Sequence, residues 1–343
     1  MPKKISAEHW LSAAKERVIL DVRTPAEYEQ GHLPGAQSLP LFSNEERAVV
    51  GTLYKQQGPQ HAYLKGLEYA GLKMALYVKE SMQLAPEGKV LVHCWRGGKR
   101  SESMAWLLEQ AGMDVEILTG GYKAFRRWVL QIFEKEHYNI QIVGGSTGTG
   151  KTAILHALQA AGEQIIDLEA LAHHKGSAFG ALGEQPQPSV EHFENKLATM
   201  LQEIDPQRRL WLEDESRSIG RVYLPDGFWN QMKAAPLYRL NLSRELRVQR
   251  LLVDYGGFSP ESLEASFRKI ERKLGGQHLK RAVEALEAGD LSTAAGIALD
   301  YYDKAYRHSV EEHHTGPVIE SDLLENDPEQ AAEKLIALSA VGI

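Results

Sequence analysis

Cysteine is nearly absent: the chain has one, Cys94, among 343 residues. A lone cysteine excludes an internal disulfide and a zinc site built on cysteines alone, and it leaves a reactive thiol no resolving partner within the chain. If Cys94 is reactive, its partner is a substrate. Long apolar runs are missing as well. No stretch of about 18 apolar residues occurs, and Met1-Pro2-Lys3-Lys4 is not followed by a signal-like apolar segment, so a cytoplasmic protein with no membrane partner is expected. An excess of positive charge is also lacking: 39 Lys and Arg stand against 46 Asp and Glu, a formal charge of −7. That balance argues against a general coat for nucleic acid but leaves room for a local basic surface. No internal repeat or low-complexity segment occurs.

What is present suffices for two cores. With 343 residues and 43% apolar side chains, the chain exceeds the usual single-domain size. Short β-branched runs at 18–22, 90–93 and 115–118 alternate with longer helix-like segments, which predicts a parallel sheet covered by helices. After the turn Thr119-Gly120-Gly121, the residues Phe125, Trp128, Val129, Ile132 and Phe133 recur at helical spacing. The expected layout is a first α/β domain over 1–128, a linker helix over 129–137 and a second α/β domain over 138–343. Within the second, strands are predicted at 138–143, 164–168, 209–212, 237–242 and 317–319, a basic helical insertion around 244–290, and a closing helix at 330–340.

The run 89–93 reads as a strand, and Cys94-Trp95-Arg96-Gly97-Gly98-Lys99-Arg100-Ser101 turns from it into a helical segment. At a helix N-terminus the unpaired N–H groups and the helix dipole favour an anion, and Arg96, Lys99 and Arg100 add positive charge, so a thiolate is favoured. Gly97 and Gly98 let the backbone curl until several N–H groups converge on the sulfur. Cys94, Arg96, Gly97, Gly98 and Arg100 are therefore the expected catalytic residues. The plain alternative is a buried, inert cysteine.

At these residues the chain resembles the rhodanese family. Asp21-Val22-Arg23-Thr24-Pro25-Ala26-Glu27-Tyr28 with Gly31-His32-Leu33-Pro34-Gly35-Ala36 is similar to its N-terminal signature, and Leu118-Thr119-Gly120-Gly121-Tyr122 to its C-terminal one. The resemblance implies a rhodanese-like parallel-sheet domain in which Cys94 carries sulfur or selenium as a persulfide or perselenide. The spacing from His93-Cys94 to Arg100-Ser101 also fits the loop of cysteine-dependent phosphatases, which has room for a phosphate or for selenophosphate. A phosphatase needs a general acid as well, and the sequence singles none out.

Gly145-Ser146-Thr147-Gly148-Thr149-Gly150-Lys151-Thr152 satisfies the Walker A pattern between a predicted strand and a predicted helix. Glycines there let backbone N–H groups surround phosphate oxygens, Lys151 neutralises charge, and the Thr152 hydroxyl is placed to hold Mg²⁺. The second domain is accordingly expected to be P-loop NTPase-like. The apolar run 210–212 ends in Glu213-Asp214-Glu215, as a Walker B strand would, so Glu213, Asp214 and the earlier Asp167 compete for a link to Mg²⁺. A solvated acidic strand end is the competing reading.

A rhodanese-like half fused to this P-loop half resembles the tRNA 2-selenouridine synthases. The shared features are the cysteine loop, the phosphate loop, His173-His174-Lys175-Gly176-Ser177-Ala178-Phe179-Gly180 and Glu213-Asp214-Glu215-Ser216-Arg217. The resemblance implies action on tRNA bearing wobble 2-thiouridine, with geranyl diphosphate and selenophosphate as co-substrates and an enzyme supplying the selenophosphate as partner. It implies alkylation of the thiocarbonyl sulfur first, then displacement of the geranylthiol by selenium. On this reading the P-loop cradles the diphosphate of geranyl diphosphate rather than ATP, and His174, Lys175, Gly176 and Ser177 form a substrate loop.

Arg268, Lys269, Arg272, Lys273, Lys280 and Arg281 against the single acid Glu271 make 268–281 the expected tRNA-binding stripe, with Arg244, Arg247 and Arg250 as a second. A solvated helix face laced with ion pairs is the alternative. Adjacent His173 and His174 lack a third nearby ligand, so no dedicated protein-only metal site is expected, and the later pair His313 and His314 reads as surface. Trp95 and Tyr122 read equally as base-stacking or core residues. Three other functions stay open on the residues alone: an ATP-dependent tRNA sulfurtransferase, a cysteine phosphatase with a nucleotide-binding module, and a non-catalytic RNA scaffold.

Overall fold

The computed structural model of the chain describes residues 2–340, without the side chains of 309–311. In order, its elements begin β1 (Lys3–Ile5), α1 (Trp10–Ala14), β2 (Val18–Asp21), α2 (Pro25–Gln30), β3 (Gln37–Ser38), α3 (Asn44–Gln57), α4 (Pro59–Gly71), α5 (Met74–Leu84), β4 (Lys89–His93), α6 (Lys99–Gln110), β5 (Asp114–Leu118) and α7 (Gly121–Lys135). They continue β6 (Asn139–Gly145), α8 (Lys151–Ala160), β7 (Gln164–Ile165), α9 (Leu168–Ala172), α10 (Val190–Glu203), β8 (Arg209–Glu213), β9 (Ser218–Ile219), β10 (Val222–Tyr223) and α11 (Asp226–Ala234). The last are β11 (Leu237–Asn241), α12 (Arg244–Tyr255), α13 (Pro260–Lys269), α14 (Glu271–Leu274), α15 (Gly276–Glu287), α16 (Leu291–His313), β12 (Val318–Asp322) and α17 (Pro328–Ala340). Two compact units result: the residues up to Lys135 together with Ser189–Gln202, and Glu136–Pro188 together with the residues from Glu203 onward.

In the first unit a five-stranded sheet runs β1-β5-β4-β2-β3 with every pairing parallel. Parallel strands are covered on both faces, which is why β4 buries Val90, Leu91 and Val92 in succession rather than alternating. Leu20, Val92, Met104, Leu108 and Ile117 are among the side chains that fill the core around it. Each such residue contributes about 1.5–3 kcal/mol when fully buried. Residues 129–135 are not a separate linker helix: α7 starts at Gly121 and buries Tyr122, Phe125, Val129, Ile132 and Phe133 along one face. Trp10 closes against it, edge-on to Phe125 at 5.1 Å and to Trp128 at 5.9 Å. The helical period correctly marks the apolar stripe, and the stripe is what ties the whole helix to this unit.

The helix α10 also departs from the expected layout, since its sequence lies within the second half but it packs with the first unit. Tyr122 donates to Glu191 at 2.6 Å, Asn195 donates to the His32 carbonyl at 2.9 Å, and Ser189 bonds the Gln30 carbonyl.

The second unit holds another five-stranded parallel sheet, ordered β12-β11-β6-β8-β7. The strand expected over 164–168 stops at Ile165, because Asp167 caps α9 instead, accepting the Ala170 N–H at 2.7 Å. The expected insertion 244–290 is four helices, α12 to α15, interrupted at Ile270 and at Gly275, whose φ is +89°. Phe267, Leu279, Leu286 and Ile297 give these helices and α16 a core of their own. Residues 341–343 of the expected second domain lie outside the described residues. Among the described residues no helix is long and apolar enough to cross a membrane.

Candidate functional site

Cys94 follows the C-terminal end of β4, the sheet edge at which α/β folds present ligand-binding residues. Its side chain is 3% exposed, with Sγ 3.2 Å from the Ser101 Oγ and 4.0 Å from the Gly98 carbonyl oxygen. Gly98 caps α6, so the thiol lies at that helix's N-terminus, as the spacing predicts. Gly97 takes φ +66°, and a Cβ on it would lie 2.7 Å from the Leu118 carbonyl oxygen. The turn 118–122 seats the loop: Tyr122 N–H donates to the Cys94 carbonyl at 2.9 Å and Lys123 N–H to that of Trp95 at 3.0 Å. Of the two aromatic residues left open, Tyr122 is fully buried and Trp95 is exposed.

The residues 21–28 form the other wall. Arg23 and Asp21 are a buried ion pair, with Nη2 to Oδ2 at 2.6 Å, and the Arg23 guanidinium lies 3.8 Å from the centre of the Tyr122 ring. Burial would raise the Asp21 carboxyl, but His93 and the Arg23 fork outweigh it and hold it below the ordinary carboxylate range. Glu27 completes a capping box with Thr24 at the start of α2 and receives Arg100 through both guanidinium nitrogens, at 2.7 and 3.2 Å. Arg100 is thus anchored across the loop, whereas Arg96 makes no ion pair among the described residues. His93 is fully buried, its Nε2 3.7 Å from the Asp21 Oδ2 and neither ring nitrogen in a hydrogen bond, and burial keeps it below the ordinary histidine range.

In the second unit, β6 runs into the phosphate loop, with Gly145, Gly148 and Gly150 at φ +139°, +84° and +84°. Lys151 Nζ folds back onto the Gly145 carbonyl at 3.1 Å, Thr149 bonds the Ser146 carbonyl at 2.8 Å, and Thr152 donates to Glu169 at 3.0 Å. Thr147 is gripped by Arg247, whose Nη1 donates to its carbonyl at 3.2 Å while the guanidinium pairs with Asp303 through two bonds of 2.7 Å. The loop opens on a cavity of about 520 Å³ that also meets Lys175, Gly176, Ser177, Asp214, Glu215 and Tyr306. Tyr306 joins its two sides, accepting the Gly145 N–H at 2.8 Å and donating to Asp214 at 2.8 Å.

The carboxyls below the loop are crowded. Burial first, then Asp167, Glu169 and Glu215, push Glu213 well above its ordinary value, and one of its oxygens has no partner. Burial and Glu169 do the same to Glu215, and burial raises Asp214 against the opposing pull of Tyr306 and Lys151. Among the described residues no three His, Cys, Asp or Glu side chains converge as a metal cage. The donor set suits Mg²⁺ in its other mode, held by the Thr152 hydroxyl and one carboxylate together with substrate phosphates. Asp167 is committed elsewhere, to its helix cap and to His156 at 2.8 Å.

A narrow apolar slot continues from this cavity. The two share Thr147, Ser177, Leu251, Tyr255 and Tyr302, and the slot extends between Phe179, Leu263, Phe267, Leu286 and Ala298.

The rhodanese-like domain model matches residues 7–127, and the tRNA 2-selenouridine synthase AAA domain model matches residues 138–257. A tRNA 2-selenouridine synthase of Sulfurovum sp. is 35% identical over 328 residues, covering 85% of this chain and 88% of the relative. That of Psychromonas ingrahamii is 32% identical over 325 residues, again covering 85% and 88%. That of Nitrosomonas europaea is 37% identical over 244 residues, covering 69% of this chain and 63% of the relative. The chain belongs to the tRNA 2-selenouridine synthase family. Its first unit is the family's rhodanese-like half and its second the AAA, P-loop half.

Within that family frame, several expected residues are placed differently. The six cations of 268–281 are exposed and fall on three helices, α13, α14 and α15, rather than on one, because the helix breaks at Ile270 and Gly275. Arg268 pairs with Glu264 at 2.5 Å, Lys280 approaches Glu284 at 3.8 Å, and Lys269 bonds the Ala178 carbonyl at 3.3 Å. Arg272, Lys273 and Arg281 make no ion pair among the described residues. Arg244, Arg247 and Arg250 point into their own unit: Arg244 holds Asp300 at 2.5 Å, Arg247 grips the phosphate loop, and Arg250 lies against Gly150. His313 and His314 line the phosphate-loop cavity instead of a plain surface, since the chain after α16 returns toward β12 there. Lys175, Gly176 and Ser177 line it too, but His174 turns away, its Nδ1 buried and unpartnered. Sequence reasoning gave no role at this site to Glu27, Glu169 and Tyr306, and it gave Arg247 a different one. Only Glu27 left a signal, as the fourth residue of a capping-box pattern beginning at Thr24.

Proposed function

We propose that this chain modifies the wobble 2-thiouridine of tRNA in two steps, S-geranylation by geranyl diphosphate and then replacement of the geranylthio group by selenium from selenophosphate. The observation that carries the reading is the apolar slot opening off a phosphate loop. A nucleotide would place a polar sugar and base beside the phosphates, whereas an isoprenoid diphosphate places hydrocarbon there; the Phe179, Leu263, Phe267 and Leu286 walls match hydrocarbon in polarity, and the slot, of about 60 Å³, widens to admit the chain.

In the first step the thiocarbonyl sulfur attacks the allylic carbon, the carbon–oxygen bond breaks, and diphosphate leaves. The phosphate-loop N–H groups and Lys151 stabilise the charge that develops on the departing group. Mg²⁺, when bound beside Thr152 with Asp214 or Glu215, would add positive charge at the same oxygens. In the second step the selenium of selenophosphate adds to the pyrimidine carbon, the carbon–sulfur bond breaks with geranylthiol taking up a proton as it leaves, and water attacks phosphorus to break the Se–P bond, releasing phosphate and leaving selenium on the base. A thiocarbonyl sulfur leaves poorly and its alkylated form leaves well, which is the reason for two steps. Cys94, held at the α6 N-terminus beside Ser101, handles the selenium.

The test is mass spectrometry of wobble nucleosides after incubation with 2-thiouridine tRNA, geranyl diphosphate and selenophosphate, each donor omitted in turn. Cys94→Ala should accumulate the S-geranyl nucleoside and make no selenouridine, and Lys151→Ala should slow diphosphate release by about a hundredfold. Selenouridine formed at the normal rate by Cys94→Ala would refute the assignment of the thiol. Tight tRNA-stimulated ATP hydrolysis with no geranylated product would replace this reading by an ATP-dependent sulfurtransferase.

A further inference from the structure

The helices α3 and α4 form a hairpin that the first unit's core leaves almost unused. No residue of α3 is buried, and α4 buries only Ala62 and Gly66. Apolar and aromatic side chains stand out from the hairpin instead, with Tyr54 61% exposed, Tyr63 49% and Leu67 48%. An amphipathic pair that packs so little against its own core has its partner elsewhere.

A groove of about 1020 Å³ runs along the hairpin and ends on the first turn of α6, the helix that carries the cysteine loop. Its lining contains four cations, Arg47, Lys55, Lys99 and Arg100, and no acid, in a chain where acids outnumber bases 46 to 39. Arg100 is taken by Glu27, but Arg47, Lys55 and Lys99 make no ion pair among the described residues. The neighbouring acids are engaged elsewhere: Glu45 by Ser43, Glu46 by Lys73 and Glu102 by Lys4. Lys99 Nζ stands 5.5 Å from the centre of the Tyr63 ring.

Unpaired cations interleaved with exposed tyrosines are the means by which proteins hold single-stranded nucleic acid, the cations following phosphates and the rings taking bases by stacking. We propose that this groove holds the single-stranded RNA flanking the modified base, with Tyr54 and Tyr63 as stacking platforms and Arg47, Lys55 and Lys99 on the phosphates. The proposal rests on the tRNA reading above and assigns to it a surface of the first unit. A base flipped from the strand would then lie next to the loop bearing Cys94. Expected RNA contacts thus extend beyond the 268–281 segment to a groove whose own lining holds no acid.

The test measures binding of the full-length chain to a fluorescent anticodon stem-loop containing 2-thiouridine, as a function of salt. Tyr54→Ala and Tyr63→Ala should each weaken binding by about 5- to 150-fold, and the Phe variants, which keep the ring, should restore it. Arg47→Gln with Lys55→Gln should lower the slope of log affinity against log salt by about 1.4. All four positions are on the surface, so unchanged melting and unchanged stabilisation by inorganic diphosphate verify that each variant is folded. Wild-type affinity and slope in every variant would overturn the proposal and leave the groove to a protein partner. Failure of the unaltered chain to bind the stem-loop would overturn the tRNA reading, and this surface with it.

Discussion

At Gly121 the backbone has φ +57°, and a Cβ there would lie against the Cys94 carbonyl oxygen and 2.5 Å from the Gly97 nitrogen. The left-handed conformation alone costs a residue with a side chain about 1–2 kcal/mol, and forcing atoms into a packed site costs about 1–3 kcal/mol more. Gly121→Ala should therefore destabilise the chain by about 2–5 kcal/mol and displace the cysteine loop. Denaturant unfolding with a parallel measurement of Cys94 alkylation checks this, and a loss below about 0.5 kcal/mol would show that the turn does not seat the loop. The Gly-Gly pair is legible in the sequence as a signature; the atom it protects is not. The same holds for Glu27, readable as a helix cap, whose second role depends on Arg100, 73 residues later. Tyr306 left no local trace at all, because its partner Gly145 lies 161 residues away and nothing in the helical period of α16 marks one tyrosine as special.

Elements were legible where a period and a terminus agreed. The strand, glycine loop and helix of β6 to α8 follow directly from sequence, and so does the apolar stripe of α7. Where a side chain serves the backbone the reading failed, as at Asp167, which leaves the strand to cap α9. Charge patterning misled most at α12, where Arg244, Arg247 and Arg250 look like a nucleic-acid stripe. Arg247 is instead 7% exposed and joins the phosphate loop to α16 through Thr147 and Asp303. Removing it leaves Asp303 unpaired beside a loop that must present N–H groups, at a cost of about 1–3 kcal/mol since Asp303 keeps some contact with water. Arg247→Ala should lose most of the thermal stabilisation that inorganic diphosphate confers. Arg244→Ala, which breaks a half-exposed pair, should keep it and change stability by less than about 1 kcal/mol. Equal diphosphate responses in the two variants would remove Arg247 from the phosphate site.

At the scale of the whole molecule, the two units carry buried titratable groups of opposite sense. In the first, burial holds His93 and His32 below the ordinary histidine range. Such a group binds its proton more readily in the unfolded chain, so its stabilisation is full above about pH 6.5 and is lost as pH falls below that. His93 alone contributes a slope of up to about 1.4 kcal/mol per pH unit in that window. In the second unit, burial raises Glu213, Asp214 and Glu215. These bind protons more readily when folded, so their stabilisation is full below the ordinary carboxylate value of about 4 and is lost as pH rises through the raised values. His174, kept low by burial and Lys269, opposes them there. Acidification from about pH 7.5 to 5.5 should therefore weaken the first unit while strengthening the second. Hydrogen exchange, corrected for intrinsic rates, reads each separately through peptides spanning β2 and β4 or β6 and β8. Mg²⁺ with diphosphate, by holding Asp214 or Glu215 ionised, should flatten the gain in the second unit. If both units instead shifted in the same direction by the same amount, the buried carboxyls beneath the phosphate loop would not be the protonated reserve that a cation displaces.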